Sequence, residues 1–145
     1  MTPLERRPGF LIRRLHQLHI AIFAEECGGF GVTPAQISVL SALAANKLLD
    51  QQAIGRVVGI DRANTADILR RLESKALIAR RIDVRDRRVR HCSITASGRA
   101  LLRKMDDAIE RAHTRTLAAL PAAQRRQFVA QLQRLVDETL LHRDQ

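Results

Sequence analysis

Between residues 10 and about 26, the apolar side chains Leu11, Leu15, Leu18 and Ile22 recur at spacings of four, three and four, with a second stripe of Ile12, His16, His19 and Phe23 beside them. That is the repeat of an amphipathic helix. Cys27-Gly28-Gly29 predicts its end, because glycine accepts the left-handed backbone of a C-terminal cap. Thr33-Pro34 predicts a second start, with Thr as N-cap, Pro at the first helical position, Ile37, Leu40 and Leu43 facing inward, and an end near Asn46. Asp50-Gln51-Gln52 opens a short third helix with Ala53, Ile54 and Val57 inward, and Gly59 turns the chain. Asp61 caps a fourth helix over residues 62–75. It buries Ala66, Leu69 and Leu72 and leaves Arg62, Asn64, Asp67, Arg70 and Arg71 for solvent or a partner.

The period then changes. Residues 76–82 and 89–94 read as two strands joined by a polar turn. From Thr95-Ala96-Ser97-Gly98 a helix resumes, with Leu101, Leu102, Met105, Ala108, Ile109 and Ala112 on its apolar side, until Leu120-Pro121 breaks it. A last helix, 122 to about 141, carries Phe128, Leu132, Leu135 and Thr139 on one stripe and Val129, Val136 and Leu140 on a neighbouring one. The pattern predicts a mainly α fold with a small β-hairpin wing, a winged helix-turn-helix with N- and C-terminal dimerisation helices. It predicts one domain over 1–145, a DNA-binding region over 33–95, and dimerisation helices over 8–28 and 98–142. The terminal helices have more apolar surface than so small a head can cover, so a second copy in a two-fold homodimer is expected against them.

Composition sharpens the partner. Lys and Arg number 25 against 15 Asp and Glu, a net charge of +10. That balance favours a polyanion. Only Lys47, Lys75 and Lys104 are lysines, and arginine forks onto phosphates and guanine edges. A GC-rich genome also favours arginine, so placement carries the argument. Over residues 80–90 six arginines face two aspartates, more repulsion than a merely solvated hairpin tolerates. Aromatic residues are 3% of the chain, with no Trp or Tyr, which suits packed aliphatic helices. No run of about 18 apolar residues and no signal-peptide core occurs, so a cytoplasmic protein without a membrane partner is expected. Cys27 and Cys92 have no metal spacing. No phosphate loop, paired-acid cleft motif or Ser-His-Asp signature appears, so neither an enzyme nor a cofactor is expected.

The run Gly59-Ile60-Asp61-Arg62-Ala63-Asn64-Thr65, then Leu72-Glu73-Ser74-Lys75-Ala76-Leu77-Ile78-Ala79-Arg80, Asp83, Asp86-Arg87-Arg88 and Ile94-Thr95-Ala96-Ser97-Gly98 resembles the MarR family of bacterial transcriptional regulators. The resemblance implies a homodimer held by its terminal helices, two heads on a pseudo-palindromic operator, and repression relieved by a small aromatic ligand. It implies that residues 62–75 are the recognition helix, and that Asp86 holds Arg88 poised for the minor groove. The stretch from Pro8 to Gln17 with Glu25-Glu26-Cys27 is similar to members that govern aromatic-acid catabolism. Two departures stand out. Ala76 replaces the usual glycine after the recognition helix, which predicts a changed backbone or a left-handed alanine. Asp67 lies where a basic or hydroxyl residue is common; it either accepts from a cytosine amino group or orients Arg70 or Arg71.

The residues expected to meet DNA are Gln51, Gln52, Arg62, Asn64, Thr65, Asp67, Arg70, Arg71, Arg85, Asp86, Arg87 and Arg88. Arg71 alternatively pairs with an acid such as Glu73 or Glu138. Arg13, His16, His19 and Phe23 either line an effector pocket for a carboxylate, between the dimer helices and the head, or form a polar dimer seam. The expected function is a sequence-specific homodimeric repressor released by a small aromatic carboxylate or aryl thioester. The alternatives are a redox-responsive regulator using Cys27 or Cys92 and an architectural protein coating DNA without sequence preference.

Overall fold

Thr33 fixes where the second helix begins. Its hydroxyl accepts from the Gln36 backbone N–H at 3.2 Å, and the Gln36 side chain accepts from the Thr33 N–H at 3.1 Å, a reciprocal capping box in front of Pro34. In the computed structural model, which describes residues 1–145, the elements are α1 (Pro8–Cys27), α2 (Pro34–Ala45), β1 (Leu49–Asp50), α3 (Gln51–Val58), α4 (Arg62–Ser74), β2 (Ile78–Ile82), β3 (Arg90–Ile94), α5 (Ala96–Thr116) and α6 (Ala122–Arg143). Side chains of Asp50, Asp61 and Thr95 cap α3, α4 and α5 by accepting backbone N–H groups at 2.7, 2.9 and 3.0 Å. The fold is mainly helical, with an antiparallel sheet in the order β1-β3-β2. β2 and β3 form the wing, in register from Ile78↔Ile94 to Ile82↔Arg90. β1 is two residues long and pairs Leu49 with Cys92 and Asp50 with His91. It was not foreseen, since two residues carry no alternation to read. No single helix is long and apolar enough to cross a membrane.

The core lies where α2, α3, α4, β3 and α5 meet. Val39, Leu40, Leu43, Ile54, Leu69, Leu72, Cys92 and Met105 are fully buried there. Two inward assignments and one helix cap need correction. Val57 is 63% exposed; eight residues of α3 bury only one side, and Ile54 fills it. Ala66 is half-buried, and Thr65 takes the interior place beside Leu69. Gly28 has an ordinary right-handed backbone, and a short 3-10 turn over Gly28–Phe30 carries the chain to Gly31, the left-handed residue at φ 71°.

Ala76 has the left-handed conformation anticipated for it, φ 58°. The Leu77 N–H reaches back to the Leu72 carbonyl at 3.0 Å and closes α4 in a Schellman-type turn. An alanine there costs roughly 1 kcal/mol.

α1 packs along α5, and a charged cluster stitches them: Glu26 accepts from Arg111 at 3.0 Å and from Arg115 at 3.1 Å, and Glu25 from Arg115 at 2.5 Å. The arginines hold the Glu26 carboxyl below its ordinary range. Only Phe23 and Cys27 of α1 are buried, whereas Leu11, Ile12 and Leu18 face outward. α6 buries nothing within the chain, leaving Val129, Leu132, Leu135, Val136 and Leu140 in the open.

Candidate nucleic-acid interface and effector cleft

α4 is held against α3 by a close joint. A Cβ added to Gly55 would lie 3.1 Å from the Ile60 carbonyl and 3.2 Å from Thr65 Oγ1, so glycine lets the helices approach. The Thr65 hydroxyl donates to Ile60 O at 3.2 Å, and the residue is 1% exposed. The expectation that Thr65 meets DNA is therefore corrected: it faces inward because the Gly55 contact needs it there. Arg62, Asn64, Arg70 and Arg71 are exposed and Asp67 half-buried. The Asn64 side-chain amide donates to Asp61 at 2.7 Å, leaving its carbonyl free. Asp67 accepts from Arg70 with one oxygen and from Arg71 Nε, at 2.9 Å, with the other. Arg71 therefore pairs with neither Glu73 nor Glu138. Glu73 holds Arg80 at 3.0 Å and Glu138 holds Arg134 at 3.0 Å. Arg80 is thereby drawn inward, a strut between the recognition helix and the wing.

The wing turn is organised by two aspartates. Asp83 Oδ1 accepts from the Arg85 N–H at 2.7 Å and the Asp86 N–H at 2.9 Å, while Oδ2 meets His91 Nε2 at 2.7 Å. His91, then those two N–H groups, hold the Asp83 carboxyl down at about 2. Asp86 accepts from Arg88 Nε at 3.1 Å, from Nη2 at 3.2 Å and from the Arg88 N–H at 3.0 Å. The side chain of Arg88 keeps that carboxyl below its usual value. One edge of the Arg88 guanidinium is thus fixed while the side chain stays 91% exposed. Arg85 and Arg87 are exposed, and their guanidinium groups carry no ion pair.

Between the start of α3, the start of α4 and the wing lies a groove of ≈ 600 Å³, lined by Gln51, Gln52, Arg56, Arg62, Arg88 and Arg90 among others. Five of the anticipated residues converge there, Gln51, Gln52, Arg62 and Arg88 with the buried Thr65 beneath them. Arg90 belongs to the arginine cluster over 80–90 though it was not singled out there; Arg56 was missed, and its signal was its spacing from Gln52, one turn of the same helix. Four cations around one concavity, with backbone N–H groups at a helix start, suit a phosphate backbone.

A second, open cleft of ≈ 970 Å³ lies between the head and the long helices, with His19, Phe23, Ile37, Val58, Ile109 and His113 among its walls. Of the four residues expected on α1, His19 and Phe23 line this cleft. Arg13 and His16 are not lining residues: the Arg13 guanidinium lies 5.6 Å from the Phe10 ring centroid, and His16 is exposed. Both precede the part of α1 that lines the cleft, which begins at His19. His113 was unforeseeable because it arrives from another helix, stacked 5.7 Å from His19. The Thr116 hydroxyl donates to Ala112 O at 2.8 Å, so it accepts from His19 Nδ1, also at 2.8 Å. That fixes the tautomer and leaves Nε2 as the free ring nitrogen. Burial first, then the neighbouring His113 and His16, lower the pKa of His19 and favour the neutral ring.

Both thiols are buried. Burial raises that of Cys27, with Glu26 adding to it, and pushes Cys92 up to about 11. Neither is a ready thiolate, which weighs against the redox alternative.

A protein-family model described as "MarR family" matches residues 30–89. Among curated proteins, the HTH-type transcriptional repressor NicR of Pseudomonas putida is 28% identical over 143 residues, covering 94% of this chain and 90% of its own length. Among solved structures, Bordetella bronchiseptica BpsR, whose DNA binding is regulated by 6-hydroxynicotinic acid, superposes with a TM-score of 0.86 at 30% identity, over 94% of this chain and 98% of that one. PcaV of Streptomyces coelicolor, solved in complex with its natural ligand, gives a TM-score of 0.81 at 32% identity over 94% and 96%.

Proposed function

Since the chain belongs to the MarR family of winged-helix transcriptional regulators, we propose that it is a homodimeric repressor which binds operator DNA and is released by a small aromatic carboxylate or aryl thioester. The observation that carries the DNA reading is the arginine-lined groove between α3, α4 and the wing, with Arg88 fixed by Asp86 at its rim. Gln51 and Gln52 meet phosphate at the start of α3, Arg62, Arg70 and Arg71 present donors and Asn64 its carbonyl acceptor to the major groove, and Arg85, Arg87 and Arg88 reach a minor groove. The apolar stripes of α1 and α6 are the dimer surface. Two-fold pairing sets two heads on one face of the duplex.

The effector reading rests on the apolar cleft and on relatives whose ligands include an aromatic acid. Phe23, Ile37 and Ile109 take a ring, and His19 Nε2 with His113 takes a carboxylate. Because a bound anion favours protonated His19, whose pKa in the free protein is lowered, affinity rises as pH falls toward that lowered value, below the ordinary histidine one. The test is a gel-shift titration on the intergenic DNA beside the protein's own gene, with a panel of aromatic acids and thioesters. A shifted band abolished by one of them, and weakened by at least about tenfold in Arg88→Ala, is expected. Equal affinity for random duplex would favour the architectural reading, and no release across the panel would retire the effector.

A further inference from the structure

The recognition helix has an unusual outward face. Thr65, Leu69 and Leu72 point into the core, so at about 100° per residue the side turned directly away from the core carries Ala63, Asp67 and Arg70, with Asn64 and Arg71 on its flank. The residue at the centre of a surface meant for a polyanion is therefore an acid. An aspartate there weakens contact with every phosphate. Its carboxylate, however, bonds both following arginines: Oδ1 takes Nη2 of Arg70 and Oδ2 takes Nε of Arg71. The three side chains remain open to solvent, at 38% for Asp67, 68% for Arg70 and 64% for Arg71, so nothing in the fold requires the cluster.

The two arginines are held differently. Arg71 is held through Nε, which leaves both terminal nitrogens free, and that end-on pair matches the O6 and N7 acceptors of guanine in the major groove. Arg70 is held through a terminal nitrogen, so its end-on fork is already half used. A buttressed guanidinium also loses less rotamer freedom on meeting a base, whereas a free arginine would settle on the nearest phosphate.

We propose that Asp67 is the specificity-determining residue of this DNA-binding surface: it lowers affinity for phosphates at large and presents Arg71 to a guanine, so that each operator half-site carries a G·C pair opposite the middle of α4. The inference rests on the DNA-binding reading above, and the experiment separates the two.

The full-length protein, Asp67→Ala, Asp67→Asn and Arg71→Ala are each used to select duplexes from a randomised pool, and the affinities for the wild-type selected site and for random duplex are then measured between 50 and 200 mM salt, a range over which about one lost or gained phosphate contact is readable as a slope change. The wild type should select a site with a near-fixed G·C pair in each half. Asp67→Ala should lose that preference by about tenfold or more, bind random duplex more tightly and show a steeper salt dependence; Arg71→Ala should lose the same base preference without the gain on random DNA. Asp67→Asn, which keeps one acceptor oxygen, should fall between. An Asp→Ala change within a helix raises helix propensity, so unaltered melting confirms a folded variant. A wild-type site with no G·C preference, or the same preference retained in Asp67→Ala, overturns the proposal. A wild type that selects no sequence overturns the DNA-reading function itself.

Discussion

At the scale of single residues, Asp83 governs the wing. Its two oxygens collect the Arg85 and Asp86 N–H groups and His91 Nε2, which shapes the turn so that Asp86 can hold Arg88. The carboxyl is depressed from the ordinary 3.8 to about 2 in the folded chain. A depressed carboxylate contributes stability above its unfolded value and loses it as pH falls through the folded one. The wing turn should therefore be intact at pH 5 to 8 and loosen only between about 4 and 2. Following the Asp83 carboxyl carbon by NMR should give a midpoint at about 2, moving toward 3.8 in His91→Ala. Equal midpoints near 3.8 in both proteins would remove His91 from the turn. The identity of Asp86 and Arg88 as a pair was readable from sequence through resemblance, whereas the Asp83–His91 bond joins residues eight apart across a hairpin whose register only the fold sets.

At the scale of elements, the joints are set by small residues. Gly98, near the start of α5, would place a Cβ 2.3 Å from the Leu77 carbonyl and 2.7 Å from Ile94. That carbonyl cannot rotate aside, because it accepts the Thr95 N–H at 3.1 Å. Gly98→Ala should thus destabilise the protein by about 2 kcal/mol or more through overpacking, against a helix-propensity gain of about 1 kcal/mol. Thermal unfolding checks this, and an unchanged or raised Tm would mean the α5–wing joint can yield. Sequence showed where α5 begins, by its Thr95 cap, but the need for glycine at 98 depends on a carbonyl from the other side of the wing. The same holds for Gly55 and Thr65. A threonine at the start of a polar helix reads as a DNA contact until α3 is seen pressed against it.

At the scale of the whole molecule, the exposed stripe on α6 is expected to pair with a second copy of the chain. Leu132, Leu135, Val136 and Leu140 are all at least 40% exposed within one chain, an arrangement a lone helix does not sustain in water. Sedimentation should give twice the chain mass of 16.3 kDa. Leu135→Asp should shift it toward the single chain and weaken operator binding by at least about tenfold, because the second head is no longer tethered to the first. A wild type that sediments as a single chain, or a variant that stays paired, would count against this surface.

The helices, their N-caps, the wing and the concentration of arginine on it were legible in the linear order, since helical period, N-cap chemistry and strand alternation are local. The same reading marked Ala76, as either a changed backbone or a left-handed alanine, and marked Asp67 as out of keeping with its surroundings. Tertiary packing alone brought together side chains that no local pattern joins: Arg80 turns inward to Glu73, His113 joins His19 while Arg13 and His16 lie outside the cleft, and β1 pairs with β3. Those outcomes depend on distances between residues far apart in the chain or on rotamers chosen by the final packing, and neither is written into a local pattern.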